Sequence, residues 1–309
     1  AVVIQEMVPA ETSGVVFSIE PITGHFDTVL IEASHGLGEV VVSGEHLTDS
    51  WKVNVKTLKI EPIHQTEKPS LVEEQLIQLA KKAKEIENLY QEPLDIEWAF
   101  YQNELYILQA RPQTFVPPYF TLDESYERYP DPISPLTWAF VDEAFHESLD
   151  YSLQLMGIHL PTRPWFALKD GYVYGNQNAV KLLAMKRPLK LTSLEDLQYF
   201  DDRYYWAEEL IRDWDNNLNE YLIGIGRLGD VPTPDKSVQT FLKYFYRLFE
   251  VAKNYFLPNI AISMTQGFLA ATCYEALYFL YGNPSAANEV LQSLLTLADL
   301  KTTKINHDL

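Results

Sequence analysis

The chain has 309 residues, of which 47% are hydrophobic, and a formal net charge of −19 at pH 7. This length allows two domains with separate cores, and the charge argues against a nucleic-acid or anionic-membrane surface, because both need clustered Lys and Arg. Cys273 is the single cysteine, which favours a reducing compartment such as the cytoplasm and predicts a small buried side chain there.

Strand patterns dominate the first 115 residues. Residues 1–4 predict a strand at the very start, so we expect the sequence to be part of a longer polypeptide. Further strands are predicted at residues 15–19, 28–32 and 51–55, and Pro21 and Gly24 supply a turn between the first two.

One helix is predicted between these strands and the next pair. Apolar residues recur at three- and four-residue steps between residues 72 and 90. Ser70 and Glu73 predict a capping box at its start, and Pro93 follows its end.

A glycine-rich stretch covers residues 32–44, with glycines at 36, 38 and 44. Glycine allows the backbone to approach a phosphate closely. A Gly-x-Gly pair alone nevertheless favours a structural turn over a phosphate loop.

Residues 94–100 and 105–112 predict a β-hairpin with a three-residue loop at 102–104. One face of this hairpin is apolar and must be buried against other structure. It comprises Ile96, Trp98 and Phe100 on the first strand and Ala110, Leu108 and Tyr106 on the second.

The other face of the hairpin is polar. The predicted register places Glu97 opposite Gln109 and Asp95 opposite Arg111. A carboxylate, an amide oxygen and a guanidinium suit a Mg²⁺-nucleotide, since Mg²⁺ takes oxygen ligands and Arg binds phosphate. An ordinary cross-strand salt bridge explains the same residues, and the hairpin alone favours it.

Seven sequence blocks in the first 115 residues carry a family resemblance. They are VIQEMVP at 3–9, SGVVF at 13–17, EAS at 32–34, GLGE at 36–39, VSG at 42–44, DIEW at 95–98 and LQARP at 108–112. In this order they resemble the nucleotide-binding domain of phosphoenolpyruvate synthase, pyruvate phosphate dikinase and rifampin phosphotransferase. The resemblance implies an α+β chain: a partial ATP-grasp subdomain, mostly antiparallel sheet with a long helix, followed by a mainly α-helical domain.

The resemblance also implies roles for individual residues. Gln5 matches the position on a strand beside the adenine. Glu97 and Gln109 match positions that hold Mg²⁺ and the ATP phosphates, and Arg111 matches a phosphate-binding arginine. The hairpin is therefore expected to be functional.

Two further carboxylates receive weaker roles from the resemblance. Glu32 and Glu39 match acidic positions facing the nucleotide, although a solvated turn carboxylate fits them nearly as well. Asp95 is expected to orient Arg111 without touching the ligand. Two departures matter: the preceding ATP-grasp lobe has no counterpart in this sequence, and residues 59–71 are fewer than the family usually shows.

Six of the eighteen prolines lie between Pro112 and Pro135. They predict a stiff linker over residues 116–136, between residues 1–115, the C-terminal part of the nucleotide domain, and residues 137–309, a helical substrate-binding domain that is incomplete. The remainder is predicted to be helical, with one helix ending at Pro258 and another over residues 259–281. The second helix is expected in a bundle rather than a membrane, because polar side chains interrupt it.

The domain layout resembles rifampin phosphotransferase, in which a helical domain stands between the nucleotide and phosphohistidine domains. The implied reaction cleaves ATP to AMP and phosphate and passes one phosphoryl group through a histidine to a small-molecule acceptor. A rifamycin-like antibiotic is the leading acceptor. A pyruvate-specific enzyme and a non-catalytic nucleotide-binding or interaction module remain as alternatives.

The sequence contains no Gly-Gly-x-x-Ser/Thr-His-Ala motif, so the phosphohistidine is expected on a domain outside these residues. His35 lies inside a nucleotide-domain block and is not expected to carry phosphate. An acceptor pocket would be lined by aromatic and apolar side chains, although core positions explain most of them better. These residues are Trp165, Phe166, Tyr172, Tyr174, Phe256, Met264 and Phe268.

Overall fold

Alternating apolar residues in the first third of the chain build a six-stranded antiparallel sheet. The strands are β1 (Thr12–Phe17), β2 (Thr28–His35), β3 (Asp49–Asn54), β4 (Ile60–His64), β5 (Leu94–Tyr101) and β6 (Glu104–Pro112). Their order across the sheet is β4-β3-β2-β1-β5-β6. The computed structural model describes residues 5–37, 48–123, 125–186, 193, 195–229, 231–233 and 236–297.

The remaining elements are three short strands and a series of helices. The strands are β7 (Phe120–Thr121), β8 (Phe166–Lys169) and β9 (Tyr172–Asn176). The helices are α1 (Glu73–Tyr90), α2 (Pro135–Phe140), α3 (His146–Leu155), α4 (Gln177–Met185), α5 (Glu195–Leu228), α6 (Val238–Tyr281) and α7 (Pro284–Leu297), with a π-helical turn at Val141–Phe145 between α2 and α3.

Helix α1 packs on one face of the six-stranded sheet. The buried core between them contains Leu76, Leu79 and Ala83 of the helix. It also contains Val16, Val29, Ile31, Trp51, Val53, Leu94, Ile96, Trp98 and Phe100 of the strands. The antiparallel sheet with a long helix agrees with the α+β prediction, and the opposite sheet face carries the polar residues of the predicted site together with some apolar ones.

The hairpin β5–β6 confirms the predicted register at its polar end and corrects it at its loop end. Glu97 pairs with Gln109 and Asp95 with Arg111, as predicted, but the register shifts after Glu97. Trp98 therefore pairs with Ile107 rather than Leu108. The loop has two residues instead of three, Gln102 and Asn103, with φ values of 50° and 64°. A two-residue turn with positive φ at both positions closes a twisted hairpin, and the irregularity restores the pairing beyond it.

The start of α1 differs from the predicted capping box. The helix begins at Glu73, with Val72 at the N-cap, and the Val72 backbone N–H donates to Gln75 Oε1 at 3.1 Å. Ser70 lies too early to cap this helix, and its backbone N–H donates to Asp49 Oδ2 at 2.7 Å instead. The prediction of Ser70 and Glu73 as a capping pair was wrong.

The described residues form two compact units. The first lies within Ala1–Ile133 and Leu160–Lys186, and the second within Ser134–His159 and Arg187–Leu309. The six-stranded sheet belongs to the first unit. The predicted ends of the nucleotide domain at residue 115 and of the linker at residue 136 stay predictions.

The first unit contains a second, three-stranded sheet in the order β7-β9-β8. Strands β8 and β9 contradict the expectation that everything after the proline-rich segment is helical. The hairpin turn between them consists of Asp170 and Gly171, with φ values of 54° and 83°. Asp-Gly is typical of such a two-residue turn, which a search for helical periodicity does not detect.

The second unit is helical. Helix α6 runs through Pro258 without ending, which corrects the prediction of two helices separated at that residue. Pro258 is buried, so packing along the helix offsets the missing backbone N–H. Cys273 on α6 is exposed, contrary to the buried position expected for it. Among the helical residues described, no stretch is both long and apolar enough to cross a membrane.

Candidate functional site

The sheet face opposite α1 carries the predicted polar residues in two rows. In the first row Val15 of β1 pairs with Glu32 on one side and Glu97 on the other, and Glu97 pairs with Gln109. Paired residues point to the same face of a sheet, and adjacent strands lie about 4.8 Å apart. Glu32 and Glu97 therefore stand about 10 Å apart at the backbone, with Val15 between them.

The second row crosses the same strands one step away. Leu30 of β2 pairs with Phe17 of β1, Phe17 pairs with Asp95, and Asp95 pairs with Arg111. Two hydrophobic residues thus separate the polar hairpin pair from β3. This row places one fixed ion pair beside the Glu97–Gln109 pair.

Asp95 holds the Arg111 guanidinium from one side. Asp95 Oδ2 accepts hydrogen bonds from Arg111 Nε at 2.9 Å and Nη2 at 2.8 Å. The Asp95 side chain is 12% exposed, whereas the Arg111 side chain is 59% exposed. A buried carboxylate therefore orients an exposed guanidinium whose outer donors remain available to an anion.

Glu32 lies in an unfavourable place for a negative charge. Burial raises the pKa of its carboxyl above the ordinary value of 4.5, and the negative charge of Asp95 raises it further. A cation bound near Glu32 would offset the charge of Asp95 and favour the ionised carboxylate.

A second ion pair on this face was not predicted from the sequence. Lys52 pairs with Leu30 on the same side of the sheet, and its Nζ lies 3.5 Å from Glu20 Oε1. Burial alone would raise the pKa of Glu20, but hydrogen bonds from Thr23 and Ile22 and the charge of Lys52 lower it overall. The position of Lys52 could have been predicted from the sequence. Trp51 and Val53 occupy the buried side of β3, so alternation places Lys52 on the opposite side.

The structure brings together five of the seven residues assigned to the site or its support. Asp95, Glu97, Gln109 and Arg111 lie on adjacent strands, and Glu32 shares their face. Gln5 is exposed and lies outside the strands, so its predicted strand position is wrong. Glu39 and the predicted strand at residues 1–4 fall outside the described residues.

The donor set of the polar face fits a magnesium ion that also binds phosphate. Mg²⁺ is usually held by one or two carboxylates together with substrate phosphates and waters rather than by a complete protein cage. Glu97 and Gln109 supply one carboxylate and one amide oxygen in paired positions. In the part of the chain that is described, no group of three or more His, Cys, Asp or Glu side chains can hold a metal by itself.

The aromatic residues suggested for an acceptor pocket are divided between the units. Trp165, Phe166, Tyr172 and Tyr174 belong to the first unit, and Phe256, Met264 and Phe268 belong to the second. Phe256 packs in an aromatic cluster, with ring centroids 5.6 Å from Phe140 and 5.1 Å from Phe145. Packing explains its position without a ligand.

Comparison with known proteins identifies the class of the first part of the chain. Residues 1–69 and 56–120 match the family model described as pyruvate phosphate dikinase, AMP/ATP-binding domain. The two matched segments overlap at residues 56–69. This match confirms the resemblance for about the first 120 residues.

Individual relatives agree with this class. The phosphoenolpyruvate synthase of Pyrococcus furiosus is 34% identical over 157 residues, covering 40% of this chain and 19% of that protein. The rifampicin phosphotransferase of Bacillus cereus is 36% identical over 140 residues, covering 38% and 16%. The prodigiosin synthesizing transferase PigC of Serratia marcescens is 37% identical over 138 residues, covering 37% and 16%. The matched part thus spans less than one fifth of each of these relatives.

Proposed function

We propose that the polar face of the six-stranded sheet binds Mg²⁺-ATP as half of an ATP-grasp site in a dikinase-type phosphotransferase. The observation that carries this proposal is the pairing of Glu97 with Gln109 beside the Asp95–Arg111 ion pair, inside the segment that matches an AMP/ATP-binding domain. A simple salt bridge would not require the carboxylate and amide oxygens beside it.

Each residue has a separate task in this proposal. Glu97 and Gln109 hold Mg²⁺, which supplies charge neutralisation at the phosphates when it is bound. Arg111 donates to phosphate oxygens, and Asp95 keeps its guanidinium in place. Phosphoryl transfer depends mainly on such positioning and charge stabilisation.

Glu32 and Gln5 have weaker support. Glu32 faces the nucleotide from the neighbouring side of β1, and we place it near the ribose or the metal. Gln5 would reach the adenine only if residues 5–10 moved on binding to extend along the sheet. Glu39 keeps its assignment by resemblance alone.

The complete reaction needs parts that this sequence does not supply. ATP is cleaved to AMP and phosphate, and one phosphoryl group passes by way of a histidine on another domain to a small-molecule acceptor. We place this enzyme in the cytoplasm. The similarity to a rifampicin phosphotransferase favours a rifamycin-like acceptor, and the similarity to phosphoenolpyruvate synthases keeps pyruvate as the second candidate.

Calorimetric titration of the 309-residue protein with Mg²⁺-ATP tests nucleotide binding. Wild-type protein is expected to bind, and removal of Mg²⁺ with EDTA should weaken binding. Glu97→Gln and Arg111→Met should each lower the affinity at least tenfold, because charge-assisted hydrogen bonds contribute more than neutral ones. Glu67→Gln, on an exposed loop, serves as the control.

Equal affinity of all four proteins for Mg²⁺-ATP would contradict the proposed site. Steady AMP formation by the 309 residues alone would contradict the requirement for a separate histidine domain. ATP-dependent phosphate release by the full-length polypeptide with a rifamycin, compared with pyruvate, distinguishes the two acceptors. Release with neither acceptor, despite ATP binding, would favour a non-catalytic module.

A further inference from the structure

The exit of β6, immediately after Arg111, has an unusual set of hydrogen bonds. Among the strands that the structure describes, β6 lies at the edge of the sheet and pairs through its backbone with β5 alone. The last backbone bond of this pair runs from the Gln113 N–H to the Pro93 carbonyl at 2.9 Å. An antiparallel pair normally exchanges two such bonds, but Pro93 has no N–H to return.

The Gln113 side chain supplies the missing tie. Its Nε2 donates to the Ile19 carbonyl at 3.0 Å, which lies two residues beyond β1 on the far side of β5. Gln113 is only 6% exposed although it is polar and follows an edge strand. One buried amide therefore joins the ends of β6 and β1 across the intervening strand.

Gln113 follows Arg111 by two residues. Because side chains alternate between the two faces of a strand, Gln113 and Arg111 lie on the same face. Any fraying of β6 at Gln113 would move the backbone of Arg111 away from Asp95. The contact between Arg111 and Asp95 depends on the pairing of β6 with β5, because Arg111 Nε and Nη2 both contact the single oxygen Asp95 Oδ2. The hydrogen bond of Gln113 therefore fixes the edge strand close to the exposed guanidinium of Arg111.

We propose that Gln113 is a positioning residue that fixes the end of β6 and thereby aims Arg111 at the phosphates. This inference rests on the proposed nucleotide site for its consequence, but not for its structural part. Gln113 itself does not touch the nucleotide. Loss of its side-chain hydrogen bond is expected to act only through Arg111.

Gln113→Met tests the inference with little change in shape. Gln113 Oε1 is buried without a hydrogen-bond partner in the described part of the chain, so an apolar replacement also removes an unpaired acceptor and the variant should fold. Thr12→Val is the matched control. It removes one buried side-chain hydrogen bond, 3.1 Å to the Ser70 carbonyl, at the other end of β1.

The first readout needs no nucleotide. In NMR spectra the Arg111 Nε–H, identified by its loss in Arg111→Lys, should exchange slowly with solvent while Asp95 holds it. Gln113→Met should speed this exchange about fivefold, the effect of losing one net hydrogen bond. Thr12→Val should leave it unchanged. Equal exchange in wild type and Gln113→Met would overturn the inference.

The second readout is Mg²⁺-ATP affinity in a double-mutant cycle. Gln113→Met should weaken binding about fivefold in the wild-type background and not at all in the Arg111→Met background. The same loss in both backgrounds would show a general structural effect and overturn the positioning role. If wild type binds no ATP while Gln113→Met still alters Arg111 exchange, the proposed function fails and the structural tie stands.

Discussion

At the scale of single residues, the burial of Glu32 disfavours the negative charge of its own carboxylate. Its pKa is raised by burial and by the charge of Asp95, so the folded protein holds the proton more tightly than the unfolded chain does. The ionised form therefore costs stability once the pH rises above the ordinary value of 4.5. A residue kept at such a cost is a candidate for ligand binding.

Glu32→Gln should consequently stabilise the fold at neutral pH. We expect the midpoint of thermal unfolding at pH 7 to rise by about 1–3 °C. The gain should shrink as the pH falls and vanish at about pH 3, where Glu32 is protonated in both states. Calorimetry across this pH range measures the effect, with Glu67→Gln as the exposed control. A gain that persists at low pH would show that the carboxylate charge is not its cause.

The contact between Asp95 and Arg111 is expected to affect ligand affinity. Asp95→Asn keeps the shape of the side chain but removes the charge that faces both Arg111 donors. Affinity for Mg²⁺-ATP should fall about tenfold, while affinity for adenosine should change little because it has no phosphate. Asp27→Asn breaks an exposed ion pair with Lys56 and should change neither. Equal losses for ATP and adenosine would argue against a role through Arg111.

At the scale of elements, the sequence predicted the part of the hairpin that forms the site and misread the part that closes it. Glu97 and Gln109 pair as alternation requires, because burial of Ile96 and Trp98 fixes which face is polar. The two-residue turn and the shift after Glu97 compensate for each other. Counting residues in a hairpin cannot separate a three-residue loop from a shorter turn with an added bulge.

The turn itself provides a test of this interpretation. Gln102 and Asn103 both have positive φ, which Asn and Gly adopt at lower cost than Gln. The double variant Gln102→Asn, Asn103→Gly should raise the free energy of unfolding by about 0.5–1 kcal/mol in urea titrations. Thr57→Gly, in a turn where φ is not positive, should lower it. Destabilisation by the double variant would reject the two-residue turn.

Helix α6 shows a second limit of local patterns. A proline usually ends a helix, yet Pro258 lies buried within a helix of 44 residues. Its neighbours along the same helix, Ile260 and Ala261, are also buried. Burial of this part of the helix accompanies its continuation through Pro258, and tertiary packing of this kind overrides local preference in a way that the sequence around a proline does not report.

At the scale of the whole molecule, residues 160–186 belong to the unit that carries the candidate site. Asn178 is 1% exposed, and its Nδ2 donates to the Gly24 carbonyl at 2.9 Å and the Pro117 carbonyl at 2.8 Å. Gly24 has a φ of 71°, and a Cβ at this position would lie 2.4 Å from Asn178 Nδ2. The β1–β2 connection is therefore shaped around a side chain more than 150 residues later.

This arrangement predicts which shortened chains fold. A chain ending at residue 133 loses Asn178 and the partners of β7, leaving the Gly24 and Pro117 carbonyls without their buried donor, and should unfold at a lower temperature or aggregate. A chain ending at residue 186, with residues 134–159 replaced by a Gly/Ser linker, keeps both and should show a cooperative transition and protected amides in β1 and β5. Asn178→Ala in that second chain should lower its stability by about 1–3 kcal/mol. Equal stability of the two shortened chains would show that residues 160–186 only lie against the sheet and do not hold its loop.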